Sequence, residues 1–146
     1  MNKPKAIGTA AESAVVKYLH SIGYTPQTAM RKTLSGASDV GDVWCHHAYG
    51  TLIIEVKGGE QAKSASHGQI EAWLAEAVRE ADNARLDTVV LPVLVTQTRG
   101  VGLPRAGDWR AWVRASDFFG PGNAASNYPI CFRLRDLMSE YEARAA

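Results

Sequence analysis

The chain has 146 residues, of which 46% are hydrophobic and 21% charged. These are the proportions of an ordinary soluble globular domain, long enough to bury roughly two-thirds of its unfolded surface without a disulfide or metal staple. A net charge of +1 argues against a protein that coats nucleic acid by bulk charge.

Two cysteines, Cys45 and Cys131, are too few and too far apart for a disulfide framework or a zinc site. They read as small buried hydrophobes in a reducing cytoplasm. The first residues lack the apolar core of a signal peptide, and the most apolar run, Val89 to Val95, falls far short of the roughly 20 residues that span a bilayer. A cytoplasmic protein without a membrane partner is the expectation. Charge is unevenly distributed. Residues 1–36 carry Lys3, Lys5, Lys17, Arg31 and Lys32 against Glu12, whereas residues 37–60 carry Asp39, Asp42, Glu55 and Glu60 against Lys57. An acidic centre behind a basic arm suits a metal-dependent enzyme acting on a polyanion.

Ile7, Ala11, Ala14, Val15, Tyr18 and Ile22 recur at helical spacing before Gly23, predicting an amphipathic helix over 6–22. Within it, Thr9 and Glu12 have the spacing of a capping box. A Thr-rich strand follows over 24–34, then a turn at Ser35-Gly-Ala-Ser38. Asp42 to His46 and Thr51 to Lys57 read as a hairpin whose second strand is central. Ile70, Trp73, Leu74, Ala77, Val78 and Ala81 predict a second long helix over 67–86. Thr88 to Thr96 is the strongest strand signal, with Pro92 pointing to a sheet edge or a bulge. Residues 97–107 read as a loop, 109–113 as a strand and 116–129 as irregular. Ile130 to Leu134 leads into a helical tail ending near Tyr141. This order describes a single mixed α/β domain.

Glu55 and Lys57, two apart on one strand, share a face, and Asp42 lies on the adjacent hairpin strand. Two carboxylates converging at a strand end can hold a hard cation such as Mg²⁺, or Mn²⁺ in its place, and Lys57 beside them can stabilise developing negative charge. The chemistry implied is phosphodiester hydrolysis. Glu12 on the first helix can orient Lys57 or reach the metal through water. Each signal also has a purely structural reading: Glu55 and Lys57 as a surface ion pair, Glu12 in its capping box, and Asp39 in a turn. His46 and His47, being adjacent on a strand, point to opposite faces and do not share one metal. Trp109 and Trp112 are expected to be core on one side and exposed on the other.

Gly41-Asp42-Val43, a gap to Glu55-Val56-Lys57, and a preceding helix with Gly8-Thr-Ala-Ala-Glu12 together resemble the core of the PD-(D/E)xK nuclease superfamily. The basic strand and Ser/Gly turn Arg31-Lys-Thr-Leu-Ser-Gly-Ala-Ser38 make the chain similar to small archaeal- and phage-type Holliday junction resolvases. The resemblance covers about residues 5–96, with Gly41 where the family usually has Pro. It implies a restriction-endonuclease-like mixed sheet flanked by helices and a Mg²⁺-dependent, structure-selective DNA endonuclease. It implies a homodimer on four-way junctions, since symmetric cutting of two strands requires two sites. The alternatives are another DNA nuclease of the superfamily, of restriction, repair or single-strand type, or a non-catalytic DNA-binding protein that keeps the fold.

Residue by residue, the resemblance implies a metal held by Asp42, Glu55 and the carbonyl of Val56, with Asp39 a second candidate for the first ligand. Lys57 polarises the attacking water, Glu12 supports Lys57, and Gln69, one helical turn before Trp73, stands beside the active site. By residue type, Arg31, Lys32, Ser35 and Ser38 can contact DNA phosphates, the alternative being a merely solvated face.

Overall fold

The apolar stripe of Ala11, Ala14, Val15 and Leu19 forms helix α1, Lys3–Ser21, in the computed structural model, which describes residues 3–32, 41–120 and 127–145. Because α1 begins at Lys3, Thr9 lies inside the helix with its backbone neighbours already bonded, and the Thr9–Glu12 capping box does not form. The strand expected over 24–34 shrinks to β1, Ala29–Arg31. Thr25 and Thr28 instead close a turn, in which Ala29 N donates to Thr25 O at 2.8 Å and Thr25 N donates to Thr28 Oγ1 at 2.8 Å. Hydroxyls near the backbone compete in this way with sheet pairing.

The hairpin is present as read. β2 (Val43–His46) pairs antiparallel with β3 (Thr51–Lys57), and His47 and Gly50 close the loop through bonds of 2.8 and 3.1 Å. A short helix α2, Gly59–Lys63, precedes α3, His67–Ala84, whose N-cap Ser66 accepts the Gln69 N–H at 3.2 Å. His67, the first residue of α3, pairs with Glu71 at 3.1 Å. α3 returns the chain to β4, Val90–Thr96, parallel to β3 along its whole length. A 3-10 segment, Leu103–Asp108, occupies the end of the expected loop. β5 (Arg110–Arg114), a short α4 (Ala115–Phe119), β6 (Pro129–Arg133) and α5 (Leu134–Ala145) follow.

The six strands form one mixed sheet in the order β1-β2-β3-β4-β5-β6. β4 is thus interior rather than an edge, and its ladder explains how Pro92 is tolerated. Thr51 N donates to Val89 O and Gln97 N donates to Lys57 O, so the odd residues of β4 face β3 and Pro92 faces β5. Pairing with β5 begins only at Leu94, so the missing N–H of Pro92 breaks no ladder bond.

One face of the sheet is covered by α1 and α5, which bury Ala11, Val15, Leu134 and Leu137 against Leu52, Ile54, Val56 and Val93. α3 covers the other face mainly over β3 and β4, with Ile70 and Leu74 on Leu94 and Trp112 of β5 packed beside them. β3 is accordingly buried along nearly its full length, whereas β5 alternates buried and accessible residues. Trp109 is fully buried and donates to Val101 O at 3.0 Å, and half-buried Trp112 donates to Thr96 Oγ1 at 3.2 Å. Cys45 is buried as expected, but Cys131 is exposed, because its strand face lies beyond the reach of α3. Among the described residues, no helix is long and apolar enough to cross a membrane.

Gly58, directly after β3, has ordinary backbone geometry but no room for a side chain. A Cβ there meets the Ala11 methyl at 2.8 Å and Ile7 O at 3.3 Å. Gly58→Ala is expected to push α1 off the strand end and cost about 1–3 kcal/mol, as overpacking does. Thermal unfolding checks this, and an unchanged melting temperature contradicts so tight a contact.

Candidate metal centre

Asp42 sits where the chain enters β2. Its backbone N donates to Ile54 O at 3.1 Å and its Oδ2 accepts the Val56 N–H at 2.9 Å. Since Val43 pairs with Ile54, Asp42 stands across from Glu55. A strand residue turns its N–H and C=O to the same side, so the Val56 carbonyl also faces Asp42. The alternation of β3 puts Ile54 and Val56 into the α1 core and Glu55 and Lys57 beneath α3.

From α3, Glu76 and Glu80 reach toward the same place. Glu55, Glu76 and Glu80 each offer an oxygen within 4.8 Å of the others. Lys57 Nζ lies 3.4 Å from Glu76 Oε1 and 5.6 Å from the centre of the Trp73 ring. Glu55 is only 4% exposed, and its Oε2 has no hydrogen-bond partner. Burial, and then hydrogen bonding and repulsion from Asp42 and Glu80, push its carboxyl far above the ordinary range. Burial works against the Lys57 ammonium, yet the neighbouring carboxylates outweigh it and raise its pKa. Glu55 and then Glu76 are the carboxylates that raise it, and Glu76 is the one paired with the ammonium.

A hard cation suits this donor set. It takes oxygen ligands, it gives the orphaned Glu55 Oε2 a partner, and it replaces the proton that mutual repulsion otherwise demands. The carboxylates close enough to share one ion are Glu55, Glu76 and Glu80, while Asp42 lies against Glu55 and accepts the Val56 N–H.

The other residues singled out in the sequence divide. Glu12 pairs with Arg31 at 3.1 Å and does not support Lys57, whose partner is Glu76; α1 and α3 pack on opposite faces of the sheet. Arg31 is thereby committed to Glu12, and Lys32 rests its ammonium 4.4 Å from the Trp44 ring centre. Gln69 lies in the first turn of α3 with an exposed side chain, one turn before Trp73. Ser35, Ser38 and Asp39 lie outside the described residues. Glu76 and Glu80 escaped the sequence reading, although a signal was present. Glu80 follows Ala77 by three residues on the stripe that Ile70, Leu74 and Ala81 mark as facing the sheet.

No protein-family model and no curated protein matches this chain.

Because Glu55 holds its proton more tightly folded than unfolded, folding takes up a proton once the pH exceeds the unfolded carboxyl value of about 4.3. Stability of the metal-free protein should therefore fall as pH rises above that value, by up to about 1.4 kcal/mol per pH unit. Divalent cation should restore it, by about 2.7 kcal/mol at a hundred times its Kd. Thermal unfolding from pH 5 to 9 with Mg²⁺ or EDTA reads both effects, and Glu55→Gln should flatten the pH curve and abolish the rescue. A wild type insensitive to pH and to Mg²⁺ contradicts the buried-carboxyl account.

Proposed function

We propose that this protein is a Mg²⁺-dependent DNA endonuclease with a restriction-endonuclease-like fold, acting as a homodimeric, structure-selective resolvase of four-way junctions. The observation that carries the reading is the meeting of Asp42, Glu55 and Lys57 on one face of the β2–β3 hairpin, with a desolvated carboxylate oxygen left over for a cation. The antiparallel hairpin followed by the β3–α3–β4 crossover supports the fold assignment. The choice of a junction over other DNA rests on the sequence resemblance at Gly8 to Glu12 and Arg31 to Ser38.

When bound, the cation supplies Lewis-acid polarisation of a phosphate oxygen. Asp42 and Glu55 provide its anionic ligands, and the Val56 carbonyl a neutral one. Glu55 and Glu76 raise the pKa of Lys57, so it acts as a hydrogen-bond donor toward developing negative charge rather than as a base. Trp73 restricts where that ammonium can swing. Arg31 ends β1 and Lys32 follows it, its N–H donating to Asp42 O at 2.8 Å, and both serve phosphate backbone; Arg31 exchanges an exposed ion pair worth about 0–1 kcal/mol for that contact.

A labelled four-way junction and its matched linear duplex, incubated with Mg²⁺ or EDTA, test this directly. Wild type should place paired nicks in the junction alone. EDTA and Asp42→Ala should abolish them, and Lys57→Ala should slow cutting by roughly 10²–10⁴-fold. Equal cutting of both substrates leaves a nuclease without junction selectivity. No cutting under any metal condition leaves only a DNA-binding protein with this fold.

A further inference from the structure

Strand register carries a line of positions away from Lys57. Lys57 pairs with Thr96, Thr96 with Arg110, and Arg110 with Arg133, across β3, β4, β5 and β6. Residues paired in register share a face, so all four project on the α3 side of the sheet. With strands about 4.8 Å apart, the row runs roughly 14 Å from Lys57 to the sheet edge. α3 covers only its beginning; Arg110 and Arg133 are exposed.

The end of this row is unfavourable to the fold. Arg110 and Arg133 stand directly opposite each other, a like-charge pair that weakens a sheet. Arg133 is relieved by Asp136 at 2.9 Å and Asp108 at 4.0 Å, but Arg110 has no carboxylate at ion-pair distance among the described residues. Beside it, at the carboxyl ends of the parallel strands β3 and β4, lies a cleft of about 260 Å³ lined by Lys63, Thr96, Thr98, Arg99 and Arg110. Its one nearby acid among the described residues, exposed Glu60, is shared between Arg99 at 2.9 Å and Lys63 at 3.7 Å, so the cleft keeps an excess of positive charge. The volume lies below the roughly 300–1,000 Å³ of pockets for drug-sized ligands, and it suits a single phosphate group. The carboxyl ends of parallel strands are also where open α/β sheets bind ligands.

We infer that the cleft and the open face of β5–β6 form a track for a nucleic-acid phosphate backbone, entering at Lys57 and leaving at Arg133. The inference rests on the proposed DNA substrate and deepens it. Charge complementarity selects the occupant: Lys57, Arg110 and Arg133, with buried Thr96 between the first two and Lys63 and Arg99 beside them in the cleft, match a polyanion, and the row's length covers about four nucleotides at 3.4 Å of axial rise each. Phosphates seated on the track bring the backbone to the acidic centre from the β4 side. Arg110 gives up cross-strand stability in the free protein to have a counter-ion only when DNA is bound.

Fluorescence anisotropy of a labelled four-way junction, in EDTA so that no strand is cut, tests the track through the salt dependence of the dissociation constant. Removing one phosphate-binding cation should lower the slope of log affinity against log salt by about 1. Arg110→Ala should lower it by that amount, and Arg99→Ala with Arg110→Ala and Arg133→Ala by about three times as much. Arg79→Ala, an exposed arginine on the outer side of α3, should leave it unchanged. These side chains are exposed, so circular dichroism and melting temperature should match wild type. Equal effects of Arg79→Ala and Arg110→Ala, or an unaltered slope in the triple variant, overturn the track while leaving the nuclease reading intact. A wild type without DNA affinity overturns both, and DNA binding that loses its slope in the triple variant but never leads to cleavage upholds the track and removes the nuclease.

Discussion

Everything distinctive about this molecule follows from a carboxyl group placed in the middle of a buried strand. β3 is covered on both faces, so Glu55 is taken out of water, and an ion so placed costs several kcal/mol unless something compensates it. Asp42 across the hairpin and Glu80 above it make matters worse, since each adds negative potential rather than a counter-charge. The fold resolves this with a proton in the absence of metal, and the donor set offers a hard cation the same place.

The rest of the architecture serves that arrangement. Tight packing of Ala11 on Gly58 fixes where β3 stops, and hence where Lys57 emerges from the core. Asp42 is anchored by the Val56 N–H, which ties the entrance of β2 to the exit of β3 at the level of Glu55. α3, reached through the crossover, delivers Trp73 and Glu76 to Lys57 and Glu80 to Glu55 from one helical face. Coverage of the sheet is uneven: α3 shelters the acidic centre and Trp112 yet leaves Arg110 and Arg133 exposed, so the centre lies at the margin of an accessible basic surface.

Much of the fold was legible because it is written in periodicity. The apolar stripes of α1 and α3, the hairpin and β4 all stand near their expected positions, and Glu55, Lys57 and Asp42 share a face as strand alternation requires. What the sequence concealed was tertiary. The place of Pro92 inside the sheet depends on where β5 begins to pair, which no local signal contains. Glu12 carried a capping-box spacing, but the helix starts earlier, and its partner is Arg31 on a strand 19 residues away. The hydroxyl that does cap a helix is Ser66, which accepts the Gln69 N–H at the start of α3. Glu80 was hidden by its type, for a carboxylate on an apolar stripe reads as a boundary residue until a strand brings Glu55 beneath it.

On the proposed function, Asp42 and Glu55 are the ligands of a divalent cation. A crystal soaked in Mn²⁺ and measured for anomalous scattering tests it without reference to activity. The expected result is an anomalous peak bonded to Asp42 and Glu55 at the margin of β2 and β3, absent from crystals of Asp42→Ala. A peak elsewhere, or none at Mn²⁺ concentrations that saturate known carboxylate sites, would contradict it.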